Sequence, residues 1–199
     1  MYSGSVSGEY IKHLHRFATQ VEVEYMVLYR FENREPKVGE KTYVCQSAEV
    51  IGDVSIGSQC YIGPGAKIRA DLGKIVIGNK TNIQDNCILH ARPRELCKVG
   101  NMVTVGHGSI LHTCTVKDFA IIGMGAIVSD YAVVGIWSVV AEGSVVKNTQ
   151  VIDDRKIVVG IPAKIVSEVS NEYQEFWTRN KNLYASLAWR YSAKLEILK

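Results

Sequence analysis

From Val44 to Val146 an aliphatic residue returns at almost every sixth position. The series runs Val44, Val50, Ile56, Ile62, Ile68, Ile77, Ile83, Leu89, Val99, Val105, Leu111, Val116, Ile122, Val128, Val134, Val140 and Val146, and thirteen of its sixteen intervals are six residues. The exceptions are nine (68 to 77), ten (89 to 99) and five (111 to 116). This period suits neither a 3.6-residue helix nor a long alternating strand. It predicts short strands broken by sharp turns and wound into a solenoid. Glycine often follows the aliphatic residue (57, 63, 78, 100, 106, 123, 135). Four places after the aliphatic stands a small residue, as at Ala48, Cys60, Ala66, Cys87, Ser109, Ala120 and Ala126, as tight turns require.

The ends follow other rules. Residues 167 to 198 place Phe176, Leu183, Leu187, Tyr191 and Leu195 near helical spacing, which predicts a helix lying along the solenoid. Near the start, Ile11, Leu14, Ala18 and Val21 suit a short amphipathic helix, although Val21, Val23 and Tyr25 also alternate like a strand. The expected organisation is an N-terminal extension (1–28, helical or disordered), a solenoid domain (29–166) and a C-terminal helix (167–199). Met26 is a candidate alternative translation start.

The hexad pattern resembles the hexapeptide-repeat family. That resemblance implies an all-β solenoid, a left-handed parallel β-helix of triangular section with three hexads per coil. Six coils follow from the length of the series, with the C-terminal α-helix packed along the prism. The hand comes from the resemblance alone, since the usual crossover rule favours the opposite one.

Composition narrows the function classes. The 199 residues are 47% hydrophobic and 22% charged, which fits one globular domain with a sizeable core. Net charge is +3 with dispersed basic residues, the densest run being "RPRELCK" at 92–98, so no nucleic-acid partner is expected. No apolar stretch approaches the roughly 18 residues of a membrane span, and no signal-peptide core opens the chain. Five cysteines without a C-x-x-C pair fit a reducing compartment. A soluble, cytoplasmic protein acting on a small molecule is the expectation.

Three of the five histidines, His90, His107 and His112, fall within residues 79–114, at a spacing unlike any single-helix zinc pattern. Three hexads per coil place them. His90 and His112 are 22 residues apart, and the ten-residue interval between them carries four extra, leaving one 18-residue coil. Arg69 lies one coil below His90 by the same arithmetic, 21 less three. His107 stands on the adjacent face above Asp85, with Gln84 beside it. A ligand around a corner cannot join metal–nitrogen bonds of about 2.0–2.1 Å within one prism. Three prisms packed side by side bring the two faces together, so a homotrimer with three interfacial metal sites is expected. His13 and His15 read as ordinary surface residues.

"IRADLGKIVIGNKTNIQDNCILH", "VTVGHGSILHTC" and "IIGMGAIV" resemble the gamma-class carbonic anhydrases and their close relatives over roughly residues 30 to 190. The resemblance implies reversible hydration of CO2, with His90, His107 and His112 as ligands of Zn2+, or of Fe2+ under anaerobic conditions. Arg69 and Asp71 match the family's R-x-D segment and are expected to pair across the subunit interface. Gln84 matches its glutamine and would position the nucleophile or product oxygen. Asp85 would orient a ligand. Where the archetypal enzyme has a glutamate after the R-x-D aspartate, this chain has Leu72, and Glu95 is the nearest substitute, so slow proton export is expected. Relatives with this trimmed architecture are associated with acyl-CoA hydrolysis and carnitine metabolism. A metal-dependent acyl-CoA thioesterase, a metal-stapled structural trimer and a metal-free acyltransferase with one catalytic histidine are the competing classes.

Overall fold

The computed structural model describes residues 27–196 and 198. The expectations for residues 9–24, His13, His15 and Met26 lie outside the described residues. Three parallel ladders wind about one apolar axis, in the left-handed β-helix of the hexapeptide-repeat fold. The first ladder stacks Tyr43–Val44, Tyr61–Ile62, Asn82–Ile83, Thr104–Val105, Ile121–Ile122, Val139–Val140 and Lys156–Val159. The second runs from Glu49–Ile56 through Lys67–Ile77, Ile88–His90, Ile110–His112 and Ile127–Val128 to Val145–Val146. The third carries Leu96–Val99, Thr115–Val116, Val133–Val134 and Val151–Ile152. Glu49–Ile56 and Lys67–Ile77 bend around the corner and belong to both of the last two ladders.

The solenoid has about seven turns rather than six, because Leu28 and Val38 pair below the hexad series and Ile152 and Val158 continue above it. Val38, Ile152 and Val158 continue the six-residue period past the two ends of the counted series, and Leu28 pairs from outside it, so the series from Val44 to Val146 falls short by about one turn. Every aliphatic of the series lies in the interior, none more than 4% exposed, and burial of each stabilises the coil by about 1.5–3 kcal/mol. Cys60 and Cys87 fill the small turn positions, where burial pushes their thiols up to about 11. The glycine slot is tight where coils touch: a Cβ on Gly106 would lie 2.8 Å from the Met124 amide nitrogen.

Two departures from the six-residue period sit at one corner. The extra residues of Lys67–Ile77 and the 91–95 loop stack on each other, the Arg94 amide donating to the Leu72 carbonyl (3.0 Å) and the Lys74 amide to that of Glu95 (2.9 Å). Gly73 is required beneath this loop, since a Cβ there would meet the Arg92 carbonyl oxygen at 2.3 Å. These insertions carry Asp71, Leu72 and Arg92 to the edge of the second ladder.

After an antiparallel strand, Lys164–Glu168, the C-terminal helix spans Asn171–Lys194, capped by Ser170, whose side chain accepts from the Tyr173 amide. The helix begins later than residue 167 because residues 164–168 pair with Lys156–Val159. It lies along the first ladder, and of the expected stripe Tyr191 faces the ladder while Phe176, Leu183 and Leu195 are more than half exposed. The ladder presents Tyr43, Tyr61, Asn82 and Thr104 outward, so the helix answers with Tyr173, Trp177, Lys181, Tyr184, Ala188 and Tyr191. Tyr191 packs on Tyr43 and Tyr61 at centroid distances of 5.2 and 5.4 Å. Among the described residues, no helix is long and apolar enough to cross a membrane.

Candidate functional site

His90 and His112 close their strands in direct register, and Arg69 pairs with His90 one coil below. The parallel ladder brings the two imidazoles together, tilted by 41°, with His90 Nδ1 and His112 Nε2 3.0 Å apart. Two nitrogens on one tetrahedral zinc, each bonded at about 2.0–2.1 Å, stand roughly 3.3 Å apart. The pair thus has the spacing of two ligands on one ion. His112 Nδ1 is 2.5 Å from Asp130 Oδ1, an arrangement that leaves Nε2 as the free, electron-rich nitrogen. On the neighbouring face His107 Nδ1 lies 3.0 Å from Asp85 Oδ2, which orients its ring in the same manner.

Asp71 ties the column together. Its carboxylate contacts His90 Nε2 at 3.3 Å and accepts a hydrogen bond from Arg69 Nη1, while its backbone carbonyl accepts from Arg34 Nη1. The Arg69–Asp71 pair is therefore made within one chain. Burial pushes the Asp71 carboxyl up, but the bonds from Arg69 and His90 outweigh it and hold the group below the usual carboxylate value. Burial, and then the charge of Arg69, lowers the pKa of His90 and favours the neutral imidazole that a metal requires.

Gln84 is nearly buried on the first ladder, where its Nε2 donates to Asn82 Oδ1 at 3.1 Å. Tyr184 packs on Tyr61 of the same ladder, ring centroids 6.0 Å apart, so the C-terminal helix reaches the site face. Leu72 is 48% exposed beside the 91–95 loop that bears Glu95.

The structure thus brings together Arg69, Asp71, His90 and His112 on one face and Gln84, Asp85 and His107 on the next. Among the described residues, no three His, Cys, Asp or Glu side chains of a single chain converge as a metal site. Sequence reasoning missed Asp130, Arg92, Arg34 and Tyr184. Asp130 had a readable signal: it lies one coil above His112, displaced by one place through the short 111–116 interval, and is only 7% exposed. Arg92 holds its other oxygen, with Nη2 at 2.7 Å and Nε at 3.0 Å. Arg34 and Tyr184 come from segments outside the repeat and had no signal.

No family model matches the chain. It is 39% identical to the carnitine operon protein CaiE of Citrobacter koseri over 170 residues, 85% of this chain and 86% of that protein. The CaiE protein of Escherichia coli O157:H7 is 38% identical over 85% of this chain and 87% of its own length. Among solved structures, a hexapeptide transferase family protein from Anaplasma phagocytophilum superposes with a TM-score of 0.79 at 34% identity, covering 83% of this chain and 98% of that one. A Bacillus cereus candidate acetyltransferase superposes with a TM-score of 0.83 at 30% identity, covering 85% and 99%. Hexad period, parallel three-ladder coil and identity across most of both chains agree: the chain belongs to the hexapeptide-repeat, left-handed β-helix family, as a relative of the carnitine operon protein CaiE.

Proposed function

We propose that the chain is an enzyme that assembles as a homotrimer, with a zinc site at each subunit interface held by His90 and His112 of one subunit and His107 of the partner subunit, and that it hydrates CO2 reversibly. The observation that carries this reading is the 3.0 Å approach of His90 and His112 together with the carboxylates that turn His112 and His107 to present one free nitrogen each. An apolar stripe beside the pair, Ile88, Ile110, Ile127 and Val145, runs in register up the same face with Ile88 44% exposed. Such a stripe is suited to burial against another subunit.

Zinc, when bound, lowers the pKa of water to about 7 and so makes it nucleophilic at neutral pH. The chain supplies the surroundings. Asp130 keeps the His112 proton on Nδ1, Asp85 does the same for His107, and Asp71 turns His90. Gln84, fixed by Asn82, offers its amide to an oxygen of the substrate or product. Position 72 provides no carboxylate to carry a proton away, so small buffers take that part.

Hydrolysis of an acyl-CoA thioester at the same site is a second reading, favoured by the acetyltransferase description of the Bacillus cereus relative and by the guanidinium groups of Arg34, Arg69 and Arg92 around the histidine column. Metal analysis of anaerobically purified protein, with parallel CO2-hydration and thioester-hydrolysis assays, separates the readings. His90→Ala and His107→Ala are each expected to be inactive, and mixed trimers of the two are expected to regain activity by rebuilding complete interfacial sites. Inactive mixed trimers with metal restored would overturn the interfacial arrangement, and metal-loaded protein inert toward both substrates would leave the metal as a structural staple.

A further inference from the structure

Mid-way along the C-terminal helix, Lys181 is wholly buried against the first ladder. Its Nζ donates to the Ala120 carbonyl at 3.2 Å and hydrogen-bonds Thr104 Oγ1 at 3.3 Å. The rings of Trp137 and Trp177 flank it, with centroids 5.9 and 5.8 Å from Nζ. A methionine would fill this space without desolvating an amine, so helix docking alone gives no reason for a lysine here.

Its polar contacts lead elsewhere. Thr104 Oγ1 also accepts from Asn82 Nδ2 at 3.0 Å, and the same Nδ2 lies 3.4 Å from the Val103 carbonyl. A carbonyl can only accept, so Asn82 must turn its nitrogen toward Val103 and Thr104 and its oxygen the other way. That oxygen accepts from Gln84 Nε2 at 3.1 Å. The Val103 carbonyl and Thr104 Oγ1, the latter shared with Lys181, hold Asn82, and Asn82 in turn holds the amide of Gln84 in one of its two orientations. Burial pulls the Lys181 amine down to about 7, so both of its forms are populated near neutral pH. In either form Thr104 Oγ1 keeps a lone pair for Asn82.

We infer that Lys181 is a positioning residue that fixes the Gln84 amide through Thr104 and Asn82, making the C-terminal helix part of the site's geometry rather than only a cover for the solenoid. The inference rests on Gln84 serving the reaction proposed above.

The test compares Lys181→Met, the isosteric Thr104→Val and the conservative Thr104→Ser in the zinc-loaded full-length protein, with Gln84→Ala as reference. Lys181→Met and Thr104→Val are expected to lower kcat about tenfold, the scale of a small misplacement, with KM unchanged. The double variant should fall no further, and Thr104→Ser should recover most of the loss. A readout independent of turnover is the side-chain amide of Gln84, followed by NMR in glutamine-labelled protein. In the wild type its two protons are expected to be shifted and slow to exchange, and in both variants to move toward free-amide positions and exchange faster. Unchanged Gln84 signals in Thr104→Val, which leaves Lys181 and the helix in place, would overturn the inference even if Lys181→Met disturbed docking. Should Gln84→Ala keep full turnover while the signals respond as described, the reaction role of Gln84 fails and the positioning chain stands.

Discussion

Replacing Lys181 by methionine tests the energetics of the helix–solenoid contact through pH. Burial holds the Lys181 amine at about 7 against its ordinary 10.5. Between those values the unfolded chain keeps a proton that the folded chain gives up, so stability rises with pH across the window. Below about 7 both states are protonated and the contribution is flat. At ~1.4 kcal/mol per pH unit, the gap between 10.5 and about 7 amounts to about 5 kcal/mol per protomer. Lys181→Met removes this slope. Near pH 7 the variant should be more stable, reduced by about 1 kcal/mol for each of the two hydrogen bonds lost, and the two proteins should converge as pH rises. Urea unfolding followed by tryptophan fluorescence reads it, since Trp137 and Trp177 flank the amine. The series runs from pH about 6 to about 9.5, at fixed protomer concentration because assembly contributes to stability. The upper limit matters because burial also pushes the hydroxyls of Tyr61, Tyr173 and Tyr184 upward. Those groups hold protons that the unfolded chain releases, and so lower stability once pH passes about 10. Parallel pH profiles for wild type and Lys181→Met would refute the reasoning.

Asp130→Asn removes the carboxylate that holds His112 Nδ1 and should weaken zinc binding 10- to 100-fold, measured by competition with a chromogenic chelator; unaltered affinity would show that Asp130 does not orient the ring. Ile110→Asp places a charge in the apolar stripe between Ile88 and Ile127 and should convert trimers to monomers in sedimentation velocity with an unchanged circular dichroism spectrum. A trimer that survives the change would place the subunit contact elsewhere. Turnover in CO2 hydration should rise with imidazole buffer concentration, and Leu72→Glu should raise it in weak buffer without changing metal content. Fast hydration independent of buffer would remove the argument from position 72.

The one-dimensional pattern was sufficient for the coil because hexapeptide packing is local and repetitive. Each aliphatic stacks on the residue one coil above and below, so counting eighteen residues, corrected for insertions, predicts the pairing of His90 with His112, of Arg69 with His90 and of Asp85 with His107. The same counting could not say that the insertions at 69–75 and 91–95 stack on each other, since their contacts run through backbone groups that every residue possesses. Nor could it supply Arg34, which comes from outside the repeat; Asp130 was within its reach, eighteen residues after His112, but stands one place off the column because of the shortened turn.

The C-terminal helix shows the division most clearly. Helical spacing announced a helix with a stripe through Phe176, Leu183, Leu187, Tyr191 and Leu195; in the structure Tyr191 packs on the ladder, whereas Phe176, Leu183 and Leu195 face outward. Which side a helix buries depends on the surface that receives it. Here that surface is a column of tyrosines, Asn82 and Thr104, and it takes Lys181 and Tyr184 beside Tyr191 in place of leucines. Sequence by itself determined the repeat, the interior of the prism and the register of the histidines, because these follow from periodicity along one chain. Tertiary structure alone decided which polar groups meet across elements distant in sequence, because a buried amine or amide is stable only where partners of matching hydrogen-bond geometry converge on it.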